Sequence, residues 1–329
     1  MLLKFFRKPL PGVLVSIVVL GVAAWLKSLF WGGETVADFS YYRMPLYALL
    51  QSIIPVGSIW GSLLTLGLVI IIGSLLIQLN TRYILIKNRT YLPSLFYIII
   101  CSGFISLQTL NPAVFAAFFA ILTVNSLFAS LAGNSLDRLF KAGFYTALGT
   151  LFYLPTIILF LLILFSIVIL NVTSVRSWLA ATLGFVTPLF FGWFFYYYFN
   201  DDVALTTIVL NTIADGVAFS FFDTGLTFVV WLSLALFMLL VTGGFVILGL
   251  PTQKINVRKY HSIFLIMILL VGTATIAVPF VSAETVFLFA IPFSYFLSSY
   301  FTFARGRIFP EILFVTLLVL VILMQFIPK

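Results

Sequence analysis

Nearly all the cationic residues of this chain fall in every second gap between its apolar segments, and the anionic residues fall mostly in the gaps between. A chain that weaves through a bilayer produces this pattern, because loops rich in Lys and Arg are retained on the cytoplasmic side. Only 8% of the 329 residues are charged and 63% are hydrophobic. A soluble domain carries roughly a quarter charged residues, so no water-soluble surface can be assembled from this composition. Apolar runs close to the ~20 residues that span a bilayer recur throughout.

The expectation is an all-α polytopic fold, a single transmembrane domain over 1–329. Its spans are placed at 11–31, 57–79, 92–109, 112–132, 140–153, 155–173, 178–198, 225–249, 262–281, 283–303 and 309–327. Fusing the fifth and sixth at Pro155 gives ten, but moves Arg176 and every later basic cluster to the outer side, so eleven is the reading kept. With the N-terminus cytoplasmic, the inner gaps then hold 14 of the 17 basic residues and the outer gaps hold seven of the nine acids. The C-terminus falls on the outer, periplasmic side. The net charge of +8 is thus the positive-inside signal and not a nucleic-acid signature. The basic N-terminus imitates a signal peptide, but no cleavage site opens onto a hydrophilic mature domain, so the first helix is expected to be retained.

Two outer segments are long, 32–56 and 199–224. Each holds an apolar stretch too short to span, Met44–Ile54 and Leu205–Phe222. Such stretches lie as interfacial helices at the headgroups. The first outer segment packs Glu34, Asp38, Tyr41, Tyr42 and Arg43 into ten residues. A carboxylate there suits a general base or a divalent metal, and a guanidinium suits a phosphate. The same residues also suit a solvated loop with its tyrosines at the interface. The second follows an aromatic run, Phe190–Phe199, with Asn200, Asp201 and Asp202. Those aspartates can hold a divalent cation, Mg or Mn, or cap a helix. Glu284 is a third outer carboxylate. Lys27, near the outer end of the first span, snorkels or meets a phosphate. Asn80, Asn111, Asn125 and Gln78 read as inter-helix hydrogen-bonding groups.

What is missing narrows the chemistry. One histidine, His261, read as part of a basic inner loop, excludes multi-histidine metal centres, and no phosphate-binding G-x-x-x-x-G-K-[ST] loop is present. A lone Cys101 excludes an internal disulfide.

The layout resembles the C-type glycosyltransferases, polytopic enzymes that take a sugar from a polyprenyl-phosphate donor. The matching features are an outer-loop acid after the first helix (Asp38, with Glu34 second) and an amphipathic element at Met44–Ile54. The third-to-sixth-span region, Leu92-Pro-Ser-Leu-Phe, Asn111-Pro-Ala-Val-Phe and Phe140-Lys-Ala-Gly-Phe-Tyr-Thr-Ala-Leu-Gly, is similar too. Asp38 stands without the neighbouring acid of that family's common Asp-Glu pair. The resemblance covers roughly residues 1–175. It implies catalysis by Asp38 and Glu34, with Arg43, Lys27 and Tyr41 on the lipid phosphate. The whole chain also resembles a multi-spanning inner-membrane family of Bacteroidota, through Asp137-Arg-Leu-Phe-Lys-Ala-Gly-Phe144 and its aromatic richness. That implies a bacterial inner membrane and no particular activity. Three functions stay open: a transferase acting on a lipid-linked sugar at the periplasmic face, a non-catalytic subunit with protein partners in a cell-envelope complex, and a transporter of a lipid or small solute.

Overall fold

The computed structural model describes residues 2–7, 10–31, 44–133, 135–199, 207, 209–210, 226–277, 283–304 and 308–326. Among the described residues there is no strand. The helices are α1 (Leu2–Phe6), α2 (Pro11–Trp31), α3 (Pro45–Ile53), α4 (Ile59–Tyr83), α5 (Leu92–Cys101), α6 (Pro112–Ala129), α7 (Ser135–Phe152), α8 (Ile158–Ile169), α9 (Val175–Phe199), α10 (Leu226–Gly249), α11 (Ile255–Ala277), α12 (Val286–Phe303) and α13 (Ile308–Phe326). A helix coincides with each of the eleven expected segments, and eight are long and apolar enough to cross a membrane. The other three are α5, α7 and α8. Helices satisfy every backbone polar group internally, which is why a chain with no polar surface builds only them.

Side-chain contacts show that successive segments reverse direction. At one end Phe6 packs on Phe314, with ring centroids 5.9 Å apart. There the Tyr83 hydroxyl donates to Asn125 O at 3.1 Å, and Lys259 Nζ donates to Leu170 O at 3.1 Å. At the other end Lys27 meets Gln325, Tyr47 meets Leu110, and Trp231 packs on Phe104. The first end carries the basic residues of α1, the α4–α5 turn, early α7 and early α11. Because α7 begins and α8 finishes at that basic end, the two form a hairpin, not one helix bent at Pro155. Tyr153 is extended, and Pro155 opens the 3₁₀ turn Leu154–Ile157, so the chain folds back.

Small residues set the closest crossings. A Cβ on Gly143 would lie inside hard contact with Ala181 O and 2.8 Å from Phe185 N, and one on Gly184 would strike Phe140 O. The Ala-Gly step of α7 is therefore a backbone-to-backbone crossing with α9, the small-residue packing of membrane helices. At the start of α7, Asp137 and Lys141 pair at 2.9 Å on an exposed face.

Some expectations are corrected. The segment expected as one span, 92–109, is α-helical only as far as Cys101; ten residues rise about 15 Å, half of the ~30 Å hydrocarbon core. His261 sits in the second turn of α11, buried, with Nδ1 2.9 Å from Val257 O, not in a loop. Asn80 caps its own turn, accepting from Ile86 N at 2.9 Å. Asn111 caps α6, accepting from Ala113 N at 2.9 Å. Gln78 is exposed. Asn125 alone of the four bridges helices, through Tyr83.

Candidate functional site: a buried helix break at the outer-segment end

Between α5 and α6 the chain leaves the α-helix from Ser102 to Asn111. Ser102 and Gly103 stop α5. A 3₁₀ turn, Ile105–Leu107, follows. Asn111, extended ahead of Pro112, starts α6 with its side chain as the cap. Ser102, Gln108, Thr109, Leu110 and Asn111 are all buried. Non-helical backbone at membrane depth persists only when enclosed by protein or lining a polar cavity.

Five helices enclose this break. From α2, Trp25 Nε1 donates to Ser102 Oγ at 3.0 Å. From α4, Thr65 Oγ1 donates to Thr109 O at 2.9 Å. Trp25 and Thr65 each lie six residues inside their helix, about 9 Å from its end. From α10, Trp231 stacks edge-on against Phe104, centroids 4.8 Å apart. From α13, the Gln325 carboxamide donates to Ser102 O. The fifth is α3, whose Tyr47 hydroxyl donates to Leu110 O at 3.0 Å. Met44, Pro45 and Tyr47 are buried, whereas Leu49 and Ile53 are exposed. The expected amphipathic element is thus a nine-residue helix that roofs the break, with Leu49, Ser52 and Ile53 exposed on its other side.

Lys27 is the one proposed site residue within the described structure. Its Nζ donates to the main-chain O of Gln325 at 2.7 Å. That carbonyl lies in the last turn of α13, where carbonyls lack intrahelical partners and the helix dipole is negative. The cation therefore caps α13, a use that sequence position did not foretell, and among the described residues this is the one hydrogen bond of its ammonium. Glu34, Asp38, Tyr41, Arg43, Asp201 and Asp202 lie outside the described residues. Among the described residues no cluster of three or more His, Cys, Asp or Glu side chains forms a metal site. A second buried polar pair stands at the same end: the Tyr153 hydroxyl donates to Glu284 Oε2 at 3.5 Å, both residues being buried.

Sequence reasoning missed Gln108, Thr109, Gln325 and Trp25. A signal was present. Ser102, Ser106, Gln108 and Thr109 crowd the short stretch between a glycine-bearing stop and Asn-Pro. Interspersed Phe104, Ile105, Leu107 and Leu110 keep the window apolar and conceal it.

The fold and this enclosed break define a multi-pass, all-α membrane protein. Compared with protein-family models, curated proteins and solved structures, the chain finds no match.

Proposed function

We propose that this chain acts at the periplasmic face of a bacterial inner membrane as a glycosyltransferase-like protein on a lipid-linked sugar. The observation that supports it best is α3, a short helix with exposed Leu49 and Ile53, seated by Tyr47 on a buried polar break. The segment carrying Glu34, Asp38, Tyr41 and Arg43 leads directly into this helix. A lipid whose tail stays in the bilayer would bring its head group to this level. In the proposed reaction an acceptor hydroxyl loses its proton to the Asp38 carboxylate as its oxygen bonds to the sugar carbon, and the bond from that carbon to the polyprenyl-phosphate oxygen breaks. Glu34 assists. Arg43, Tyr41 and Lys27 take up the phosphate charge, and Asp201 and Asp202 would hold a divalent cation, Mg or Mn.

Asp38→Asn tests this reading. General-base assistance is worth ~10²–10⁴ in rate. The substitution keeps size and hydrogen-bonding capacity but removes the charge. It should leave expression and melting unchanged and reproduce the change in envelope glycans that deleting the chain causes, while Glu34→Gln does much less. Wild-type glycans in the Asp38→Asn strain would refute the transferase reading.

One observation favours the second reading, a non-catalytic subunit of an envelope complex. The last turns of α9 expose Phe191, Phe194, Tyr197 and Tyr198, with Phe194 and Tyr198 stacked 6.2 Å apart. Replacing Tyr197 and Tyr198 by Ser would then impair function more than any single acid substitution.

A further inference from the structure

The main-chain O of Ser102 accepts two carboxamides. Gln108 Nε2 donates to it at 3.0 Å, and Gln325 Nε2 donates from α13. Turning either amide round would set oxygen against oxygen, so both orientations are determined. The consequence is that Gln108 Oε1 and Gln325 Oε1 are both buried with no hydrogen-bond partner among the described residues. Thr109 Oγ1 and Asn111 Nδ2 share that condition. All four side chains are more than nine-tenths buried. A buried polar atom without a partner is strongly unfavourable, and four of them around one short break take ordered water or a ligand that supplies the missing partners.

The chemistry of the four atoms selects that ligand. Two are pure acceptors, one is a hydroxyl, and one is an amide donor; none is charged. A phosphate needs cations or clustered N–H groups, and these four atoms offer a single amide donor. A metal cation needs about six oxygens, commonly with a carboxylate among them, and three neutral side-chain oxygens fall short. A polyol, in which every hydroxyl both donates and accepts, complements the set.

We propose that the Ser102–Asn111 break recognises a neutral, hydroxyl-rich group, a sugar ring. The proposal deepens the transferase reading and rests on it for its placement at the outer face. The groups that would read the sugar are Gln108, Thr109, Asn111 and Gln325. A site built to hydrogen-bond hydroxyls discriminates steeply against ligands that lack them.

The test uses the full chain in phosphatidylethanolamine–phosphatidylglycerol nanodiscs. Thermal stability is followed while octyl β-glucoside, octyl tetraoxyethylene ether, octyl phosphate or methyl β-glucoside is added below any micellar concentration. Binding to the folded state raises the melting temperature in a saturable way. The expected result is a saturable rise with octyl β-glucoside and none with the ether or the phosphate. Thr109→Val, which keeps shape, and Asn111→Asp, which keeps the helix cap, should each weaken the response at least about tenfold. Gln325→Met should do the same, and if that variant does not fold the first two decide. An equal response to methyl β-glucoside identifies a free sugar; a response to the octyl form alone identifies a lipid-borne one; either supports the site. Indistinguishable responses to all the amphiphiles, or an undiminished glucoside response in Thr109→Val and Asn111→Asp, overturn it. The transferase reading fails separately. A silent Asp38→Asn strain with intact glucoside binding removes the reaction and keeps the site, and an inactive Asp38→Asn strain without glucoside binding to the wild-type chain does the reverse.

Discussion

Lysine placement carries more of this structure than its number suggests. Lys27 caps α13 through Gln325 O, and Lys259 caps α8 through Leu170 O at 3.1 Å. Each ammonium meets the negative end of a helix dipole, an interaction worth ~0.3–1 kcal/mol when exposed and up to ~2 kcal/mol when partly buried. Lys27→Leu should therefore lower stability by about 1 kcal/mol, and Lys27→Arg should recover most of it, as read by thermal melting in detergent. A cation that merely snorkels would give the opposite order, because replacing a charge near hydrocarbon by Leu carries no burial penalty. An unchanged melting temperature in Lys27→Leu would return the residue to that simpler role. Sequence position marked Lys27 as unusual, but it contained nothing to point at a partner 298 residues away.

Among the elements, the pairing of α7 with α9 is the most demanding. At Gly143 and Gly184 the two backbones leave no space for a Cβ, so a methyl group must push the helices apart. Overpacking of this kind costs ~1–3 kcal/mol or more. Gly143→Ala and Gly184→Ala should each destabilise by at least that amount in a denaturation assay. Gly243 lies inside α10, and a Cβ added there would meet nothing within 4 Å. The gain in helix propensity, ~0.5–1 kcal/mol, is then unopposed, so Gly243→Ala should be neutral or stabilising. Equal losses at Gly143 and Gly243 would refute the close crossing. The resemblance to C-type glycosyltransferases runs partly through Ala142-Gly143, and a packing constraint explains that step without any catalytic role. The end of α5 at Cys101 is an element-scale feature that hydropathy cannot see, because an enclosed irregular segment is as apolar on average as a helix.

For the molecule as a whole, the alternation of helix directions is visible in contacts between residues far apart in sequence, and the side of the membrane is inferred from charge. Cysteine reporters introduced into a Cys101→Ala background test the two together. Asn88 and Asn256 are both exposed at the basic end. They should label only from the cytoplasm, and reporters at Gly33 and Asp215 only from outside. Labelling of Asn256 from outside would break the eleven-segment alternation.

Composition and charge order determined by themselves that the chain is helical, that it lies in a membrane, and that its segments run back and forth. These properties follow from desolvating backbone groups and from a side-wise charge bias, both additive along the chain. Local signals such as Asn111-Pro112 and Pro155 marked where helices start and turn. The tertiary structure alone decided that α5 stops half-way, that α3 roofs the stop, and that Gln325 of the last helix reaches Ser102 beside Trp25 of the second. An amide in an apolar run has the same sequence signature whether it bridges helices, caps a turn or waits for a ligand. Its role is set by which backbone carbonyl the packing brings within hydrogen-bonding reach, and that depends on contacts between residues far apart along the chain.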